Sequence, residues 1–413
     1  MDYANAQLYS FFVLPNQLRI IYSPSISPVS YCGFVINAGT RDERRDQFGL
    51  AHFVEHMLFK GTQKRKSRHI INCMENVGGE LNAYTTKEET FLYSICLIEY
   101  TERAMELLSD LIFHSLFPPS EIEKEKEVVV DEINLYNDNP LELIFDEFEN
   151  LVFQGSEIGH NILGEIDSLN TFTSQSCCEF INTFYCPENM IFFFYGGIPF
   201  VKILRLANKY FFKERENSIQ IKSRTMPQTI SAKTKKMEKK LYQSHVMIGS
   251  RGYDRHNKKQ IGLYLLNNLL GGSGMNSRLN VTLREKRGFV YTVGSSLTSY
   301  SDTGIFNIYF GCTHQLVDEC ISLTYKELKK LCDRELSTSQ LHAAIKQLKG
   351  QLTVANENKE NLALRLGESF LHLNRYDTLL EIYKKIDALK SLDLLEIANE
   401  IFDEKNLFQL IFE

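Results

Sequence analysis

The amino-acid sequence predicts an α+β protein made of two similar domains, each a mostly antiparallel sheet packed with helices. The chain has 413 residues, which is long for a single hydrophobic core. Both halves show the same order of strand, helix, glycine turn, strands and helix, repeated after about 200 residues, far longer than a solenoid period. The strands follow one another instead of alternating strictly with helices, which favours α+β over a parallel sheet.

A polar stretch separates the two halves. Residues 213–240 are rich in charged side chains, serine and threonine and contain few large apolar residues. This composition is typical of a linker or an exposed edge. We therefore predict a first domain over residues 1–215, a linker over 216–240 and a second domain over 241–413.

Apolar runs and helical periodicity predict the elements of each half. The elements expected in the first half are strands over 31–36, 80–94 and 190–195 and helices over 48–59 and 101–114. The elements expected in the second half are strands over 244–248 and 290–311 and helices over 260–270 and 317–331.

The first of these helices carries a candidate metal motif, His52-Phe53-Val54-Glu55-His56. Positions four apart lie above one another on one face of a helix, so the two imidazoles can bind one Zn²⁺. Glu55, beside them, can reach a water on that metal. The spacing is that of the metalloprotease HExxH motif in inverted order. Two surface histidines near a solvated glutamate remain the alternative, and a third ligand would decide against it.

A second predicted helix supplies candidates for that ligand. Ser120 followed by Glu123 forms a capping box that predicts a helix start, and Pro140 predicts its end. Glu125 and Glu132 fall on the apolar stripe of this helix, where an unpaired charge is costly. A bound metal ion would offset that cost.

These residues resemble the signature of the pitrilysin superfamily, zinc metallopeptidases that include insulin-degrading enzyme and the mitochondrial processing peptidases. The likeness lies in residues 39–43, 49–62 and 78–85. It extends to the spacing of 76 residues from His56 to Glu132 and of seven from Glu125 to Glu132. The resemblance implies that Glu132 is the third ligand and that Glu125 is an auxiliary carboxylate of the active site.

The resemblance further implies the reaction. His52, His56 and Glu132 would hold one Zn²⁺ per chain, and Glu55 would be the general base toward a zinc-activated water. The chain is then a metalloendopeptidase acting on extended or unfolded peptides.

Substrate contacts are expected from both halves. In the resembling family the strand matched by residues 78–85 borders the cleft, so a peptide would add as a strand at Asn82 and Ala83. The second half has no HxxEH, but Arg284 and Tyr291 fit a pair that in the family points at the peptide near zinc. On spacing alone, a solvated arginine and a packed tyrosine are the alternative.

The family's two domain types face each other around a peptide-binding chamber. A chain of this length holds only two such units. We therefore expect a homodimer, with a heterodimer of related chains as the alternative.

Composition excludes other classes of protein. The net charge of −6 offers no basic field for nucleic acid. No apolar run approaches the ~18 residues that span a bilayer, and the first residues lack the basic region of a secretory signal. The nine cysteines form no CxxC pair, which is typical of reduced thiols in a cytoplasmic protein. We therefore predict a cytoplasmic enzyme that binds neither nucleic acid nor membrane.

Two other functions remain open at this stage. One is a non-catalytic, peptide-binding or structural subunit of a related peptidase complex. The other is a zinc-stabilised interaction module without turnover. The complete HxxEH set favours the enzyme, because inactive relatives usually lose part of it.

Overall fold

The structure, a computed structural model, describes residues 9–212 and 223–413. These residues form two compact units, and each unit draws on both halves of the sequence. The first unit falls within Met1–Ile133, Asn161–Arg224 and Asn356–Tyr376. The second falls within Asn134–His160, Thr225–Ala355 and Asp377–Glu413.

The first unit contains a six-stranded sheet with the spatial order β1-β2-β6-β3-β5-β4. Its strands are β1 (Ser10–Val13), β2 (Arg19–Pro24), β3 (Val29–Ile36), β4 (Glu80–Thr85), β5 (Thr90–Leu97) and β6 (Met190–Gly196). All neighbouring pairs are antiparallel except β2 and β6. The buried run predicted over 190–195 is therefore a central strand.

The second unit contains a five-stranded sheet with the order β7-β11-β8-β10-β9. Its strands are β7 (Thr234–Met237), β8 (Ser244–Gly252), β9 (Val290–Ser299), β10 (Gly304–Cys312) and β11 (Phe408–Phe412). Here too a single pair, β7 and β11, is parallel. The order and directions repeat those of β2-β6-β3-β5-β4, which confirms the predicted α+β fold with two similar domains.

The helices pack on both faces of these sheets. In chain order they are α1 (Leu50–Leu58), α2 (Ser67–Glu75), α3 (Thr101–His114), α4 (Pro119–Asn137), α5 (Pro140–Val152), α6 (Ile166–Asn170), α7 (Ser174–Phe184), α8 (Phe200–Tyr210), α9 (Gln260–Gly271), α10 (Val317–Asp333), α11 (Thr338–Ala355), α12 (Lys359–Leu373), α13 (Leu379–Asp387) and α14 (Ser391–Ile401). A π-helical turn, Asn280–Glu285, precedes β9. Within the described residues, no helix is both long enough and apolar enough to span a bilayer.

One face of the first sheet is covered by α12, which comes from the second half of the sequence. Leu366 and Phe370 of this helix share a buried cluster with Val35 and Phe193 of the sheet. Gly367 permits the close approach, because a Cβ there would lie 2.8 Å from both Phe193 and Val35 side-chain atoms. Conversely, α5 from the first half packs on β8 and β11 in the second unit.

Several predicted boundaries differ from those observed. The strand-like runs expected over 80–94 and 290–311 are the hairpins β4–β5 and β9–β10, since a turn interrupts each run. Residues 216–222 of the predicted linker lie outside the described residues. Further along that stretch β7 forms a strand, because its backbone pairs with β11.

The predicted capping box does not start α4. The helix already includes Pro119, the residue before Ser120. The carbonyl of Pro118 accepts its first backbone hydrogen bonds, from the N–H groups of Glu121 and Ile122. Proline suits this first position because it has no N–H to satisfy. At the other end α4 stops at Asn137, and Pro140 begins α5 with Asn139 as its cap.

Candidate metal centre

A buried glutamate side chain accepts hydrogen bonds from the backbone at the start of helix α1. Glu43 accepts hydrogen bonds from the backbone N–H groups of Gly49, at 2.8 Å, and Ala51, at 2.7 Å. Gly49 has φ 95°, a left-handed conformation that favours glycine. The first N–H groups of a helix have no partner within it, so Glu43 satisfies two donors directly before the motif.

The amphipathic pattern of α1 leaves the motif on one side. Phe53, Val54 and Met57 are fully buried in the core of the first unit. His52 and His56 stack edge to face on the opposite side, with ring centroids 4.6 Å apart. The helix therefore presents two imidazoles together, as predicted from their spacing.

Glu132 meets these two rings from α4. Its Oε1 lies 3.7 Å from Nε2 of His52, and its Oε2 lies 3.5 Å from Nε2 of His56. One donor atom from each of the three side chains falls within 4.8 Å of the other two. The structure thus brings the three predicted ligands together from two separate helices.

These separations suit a shared metal better than hydrogen bonds. Both N···O distances exceed the 2.7–3.2 Å usual for N–H···O hydrogen bonds. Four-coordinate zinc with bonds of about 2.0–2.2 Å places neighbouring ligand atoms about 3.3–3.6 Å apart. Two imidazoles and one carboxylate are also a usual donor set for zinc that keeps a position open for water. The residues fit the ion that the sequence predicts.

The protonation of the rings differs. Burial, with a smaller effect of His56, lowers the pKa of His52 to about 3, so this ring is neutral and its Nε2 can bind a metal. Burial also acts to lower the pKa of His56, but a hydrogen bond to Glu125 and nearby carboxylates outweigh it and raise that pKa. The pocket around His56 therefore favours a positive charge.

Glu125 lies behind His56. It is only 4 % exposed, and its Oε1 accepts a hydrogen bond of 2.9 Å from Nδ1 of His56. Its Oε2 forms a close ion pair with Nζ of Lys60. A ligand histidine commonly donates its outer N–H to a carboxylate, which fixes the ring and its tautomer. Glu125, predicted as an auxiliary residue, contacts a ligand in this way.

Glu55 points toward the edge strand β4. Its Oε2 accepts a hydrogen bond of 2.6 Å from the hydroxyl of Thr85, the last residue of that strand. Burial raises the pKa of Glu55, and the bond from Thr85 opposes the shift in part. A carboxylate made more basic by burial is suited to accept a proton. Asn82 and Ala83 lie on the same strand and are partly exposed.

Arg284 and Tyr291 belong to the second unit. Arg284 is exposed within the π-helical turn, and Tyr291, near the start of the edge strand β9, is 81 % exposed. The guanidinium carbon of Arg284 lies 5.6 Å from the centre of the Tyr291 ring, a cation–π contact. The two predicted residues thus form one exposed pair, and Tyr291 is not the packed residue of the alternative interpretation.

Comparison with known proteins gives the family. The profile described as Insulinase (Peptidase family M16) matches residues 19–165, and that described as Peptidase M16 inactive domain matches residues 171–348. The "Uncharacterized zinc protease YmxG" of Bacillus subtilis is 30 % identical over 405 residues, which cover 97 % of each chain. The chain belongs to peptidase family M16.

Further comparisons give similar matches. An "Uncharacterized zinc protease" of Rickettsia felis is 32 % identical over 372 residues, covering 89 % of this chain and 88 % of the relative. A crystal structure of a protease from Helicobacter pylori superposes with a TM-score of 0.90 at 22 % identity, covering 98 % and 99 % of the two chains. A Pseudomonas fluorescens structure described as peptidase M16 inactive domain gives a TM-score of 0.91 at 17 % identity, covering 98 % and 97 %. At these identities the two structures support the fold.

The predicted site residues fall in the segments matched by two different M16 profiles. His52, His56 and Glu132 all lie in the segment matched by the insulinase profile, whereas Arg284 and Tyr291 lie in the segment matched by the inactive-domain profile.

Three further residues of this centre, Glu43, Lys60 and Thr85, are not among those predicted from the sequence. Each lies within a stretch that carries the resemblance, but no spacing rule assigns it a partner. Glu43 reaches the helix start through a loop, Lys60 reaches a different helix and Thr85 reaches α1 from a strand. Their place in those stretches was the signal that the sequence offered.

Proposed function

We propose that this M16 chain is a zinc-dependent metalloendopeptidase that hydrolyses peptide bonds in extended or unfolded peptides. The observation that carries the proposal is the convergence of His52, His56 and Glu132 from α1 and α4 at separations suited to one zinc ion. Curated relatives that match nearly the whole chain and are named zinc proteases support it.

The contacts of Glu55 and Glu125 indicate the role that each residue has in the proposed reaction. Zinc held by the three ligands would supply Lewis-acid chemistry, lowering the pKa of a water to about 7 and polarising the scissile carbonyl. Glu55, held by Thr85 and not needed as a ligand, accepts the proton of the attacking water and returns it to the leaving amine. Glu125 keeps the His56 ring in one orientation, with Nε2 directed at Glu132.

The substrate class follows from β4. It is an edge strand of its sheet, and within the described part of the chain no strand pairs with its outer side. An extended peptide that adds there bonds through its main chain, which demands little of its sequence. Asn82 and Ala83 would line that peptide, and Thr85 of the same strand holds the base. Most backbone groups of a folded protein are already paired within its own structure, so unfolded segments, whose backbone is free to pair, are preferred.

Arg284 and Tyr291 are proposed as further substrate contacts. Arginine offers fixed donors to a carbonyl or carboxylate, and a phenol can donate to a developing oxyanion. Both side chains are exposed, which leaves their donor groups available to a ligand.

We also propose a homodimer in a reducing compartment such as the cytoplasm. The nine cysteines are free, as expected where thiols stay reduced. The dimer rests on the family resemblance alone.

The proposal is tested by zinc-dependent cleavage of a quenched, unstructured peptide. Purified wild-type protein should cleave it, and chelation should abolish cleavage until zinc is restored. Glu55→Gln should keep one zinc per chain while turnover falls by at least about 10²-fold, because the base is lost and the ligands are not. Unchanged cleavage by Glu55→Gln would exclude this base.

Variants of the ligands complete the test. Glu132→Gln and His52→Ala should lose zinc, measured by elemental analysis, whereas Glu127→Gln, an exposed glutamate on the same helix, should keep it. A wild-type protein that binds zinc and peptide without cleaving would support the non-catalytic partner subunit instead.

A further inference from the structure

Lys60 stands directly behind the proposed metal centre and has no assigned role. It follows the end of α1, where its backbone N–H donates to the carbonyl of Met57 at 3.1 Å, so it continues the turn that carries His56. Its ammonium group reaches across to Oε2 of Glu125 on α4, and its side chain is 25 % exposed. It therefore links the two helices that supply the proposed ligands.

Glu125 depends on two partners, one for each oxygen. Oε1 accepts from His56 and Oε2 pairs with Lys60, while the carboxylate side chain is 6 % exposed. A buried carboxylate oxygen without a donor is costly, so both contacts act on its orientation. When both contacts are made, the oxygen facing His56 cannot turn away; with zinc bound, it would hold the ring proton on Nδ1 and leave the lone pair of Nε2 to the metal.

We propose that Lys60 is a positioning residue for the metal centre, which holds Glu125 against His56 and thereby sets zinc affinity. This inference rests on the proposed function only in that the protein must bind zinc at His52, His56 and Glu132. Lys60 touches neither metal nor substrate and acts through Glu125.

Coulomb repulsion between Lys60 and the metal would have the opposite effect on zinc affinity. An ammonium group near a divalent cation repels it, so removal of Lys60 would tighten zinc binding if Coulomb repulsion dominated. Loss of positioning weakens it instead, since outer contacts of metal ligands commonly change affinity by about 10–100-fold. The sign of the effect therefore separates the two hypotheses.

The test measures the zinc Kd of full-length, metal-free protein by competition with a chromophoric chelator. Lys60→Met should raise the Kd about 10–100-fold, and Lys60→Arg should restore most of the affinity because it keeps a cationic donor. Lys64→Met is the matched control, since this neighbouring lysine is 61 % exposed and its ammonium group pairs with Glu106 instead of Glu125. It should leave the Kd unchanged.

A double variant isolates the route through Glu125. Once Glu125→Gln has removed the carboxylate, adding Lys60→Met should weaken zinc binding no further. The visible spectrum of the Co²⁺-substituted protein should change in Lys60→Met and not in Lys64→Met, because it reports ligand geometry. Should Lys60→Met fail to fold, as judged by circular dichroism, Lys60→Gln provides the same comparison.

Two results would overturn the inference and leave the proposed function intact. One is zinc binding by folded Lys60→Met that equals or exceeds that of the wild type. The other is a Lys60→Met substitution that weakens zinc binding as much in the Glu125→Gln background as in the wild type. A wild-type protein that binds no zinc would overturn both the inference and the proposed function.

Discussion

The hydroxyl of Thr85 donates a 2.6 Å hydrogen bond to Oε2 of Glu55 and so joins the edge strand β4 to the helix of the motif. The proposed base is thus positioned by the same strand to which the peptide is expected to add. Binding site and base are linked by one side chain.

Thr85→Val should therefore lower kcat about 10–100-fold, because the carboxylate loses the contact that orients it. Zinc content should stay at the wild-type value, since Thr85 does not contact a ligand. Peptide cleavage and elemental analysis measure the two effects. Thr171→Val, at an exposed position, is the control. Wild-type kcat in Thr85→Val would show that Glu55 needs no such contact.

Tyr291→Phe tests the contribution of the second unit. Removing a donor to a developing oxyanion commonly costs about 10²–10³ in kcat, so we expect a loss of at least about tenfold without loss of zinc. Tyr242→Phe, a fully exposed tyrosine, should have no effect. If both variants cleave like wild type, the pair formed by Arg284 and Tyr291 is only a surface contact.

Glu43→Ala should destabilise the protein, because two backbone N–H groups at the start of α1 lose a buried acceptor. A buried donor left without an acceptor costs about 1–3 kcal/mol, so the midpoint of urea unfolding should fall clearly. Asp46→Ala removes an exposed carboxylate from a nearby loop and serves as the comparison. Equal unfolding midpoints for the two variants would show that Glu43 does not stabilise the start of α1.

Two glycines in helices should respond oppositely to alanine. At Gly367 of α12 a Cβ would lie 2.8 Å from Phe193 and Val35, and overpacking of this kind costs about 1–3 kcal/mol. At Gly350 of α11 an added Cβ has no atom within 4 Å, so alanine should stabilise by about 0.5–1 kcal/mol. Thermal unfolding measures both. A stabilised Gly367→Ala would contradict the close packing of α12 on the first sheet.

Much of the candidate centre was predictable because the sequence patterns that mark it are local. His52 and His56 are four residues apart and therefore share one face of a helix, and Glu132 lies on the apolar stripe of a second helix. The family pattern then relates the two helices, which spacing alone does not. Within each unit, apolar runs and helical periodicity predicted some of the elements, among them β3, β6, α3, α9 and α10.

What the sequence did not reveal depends on contacts between distant segments. Helices α5 and α12 pack in the unit formed mainly by the other half of the chain, and no periodicity marks that exchange. β7 looks like a linker because its own residues are polar, and it becomes a strand by pairing with β11. Lys60 and Thr85 are likewise recognisable only once their partners on other elements are known.

The most direct test is an anomalous difference map, recorded at the zinc absorption edge, from crystals of zinc-loaded protein. One peak per chain should lie about 2.0–2.2 Å from Nε2 of His52, Nε2 of His56 and a carboxylate oxygen of Glu132. A peak elsewhere, or one at the two imidazoles with the Glu132 carboxylate turned away, would contradict the proposed centre.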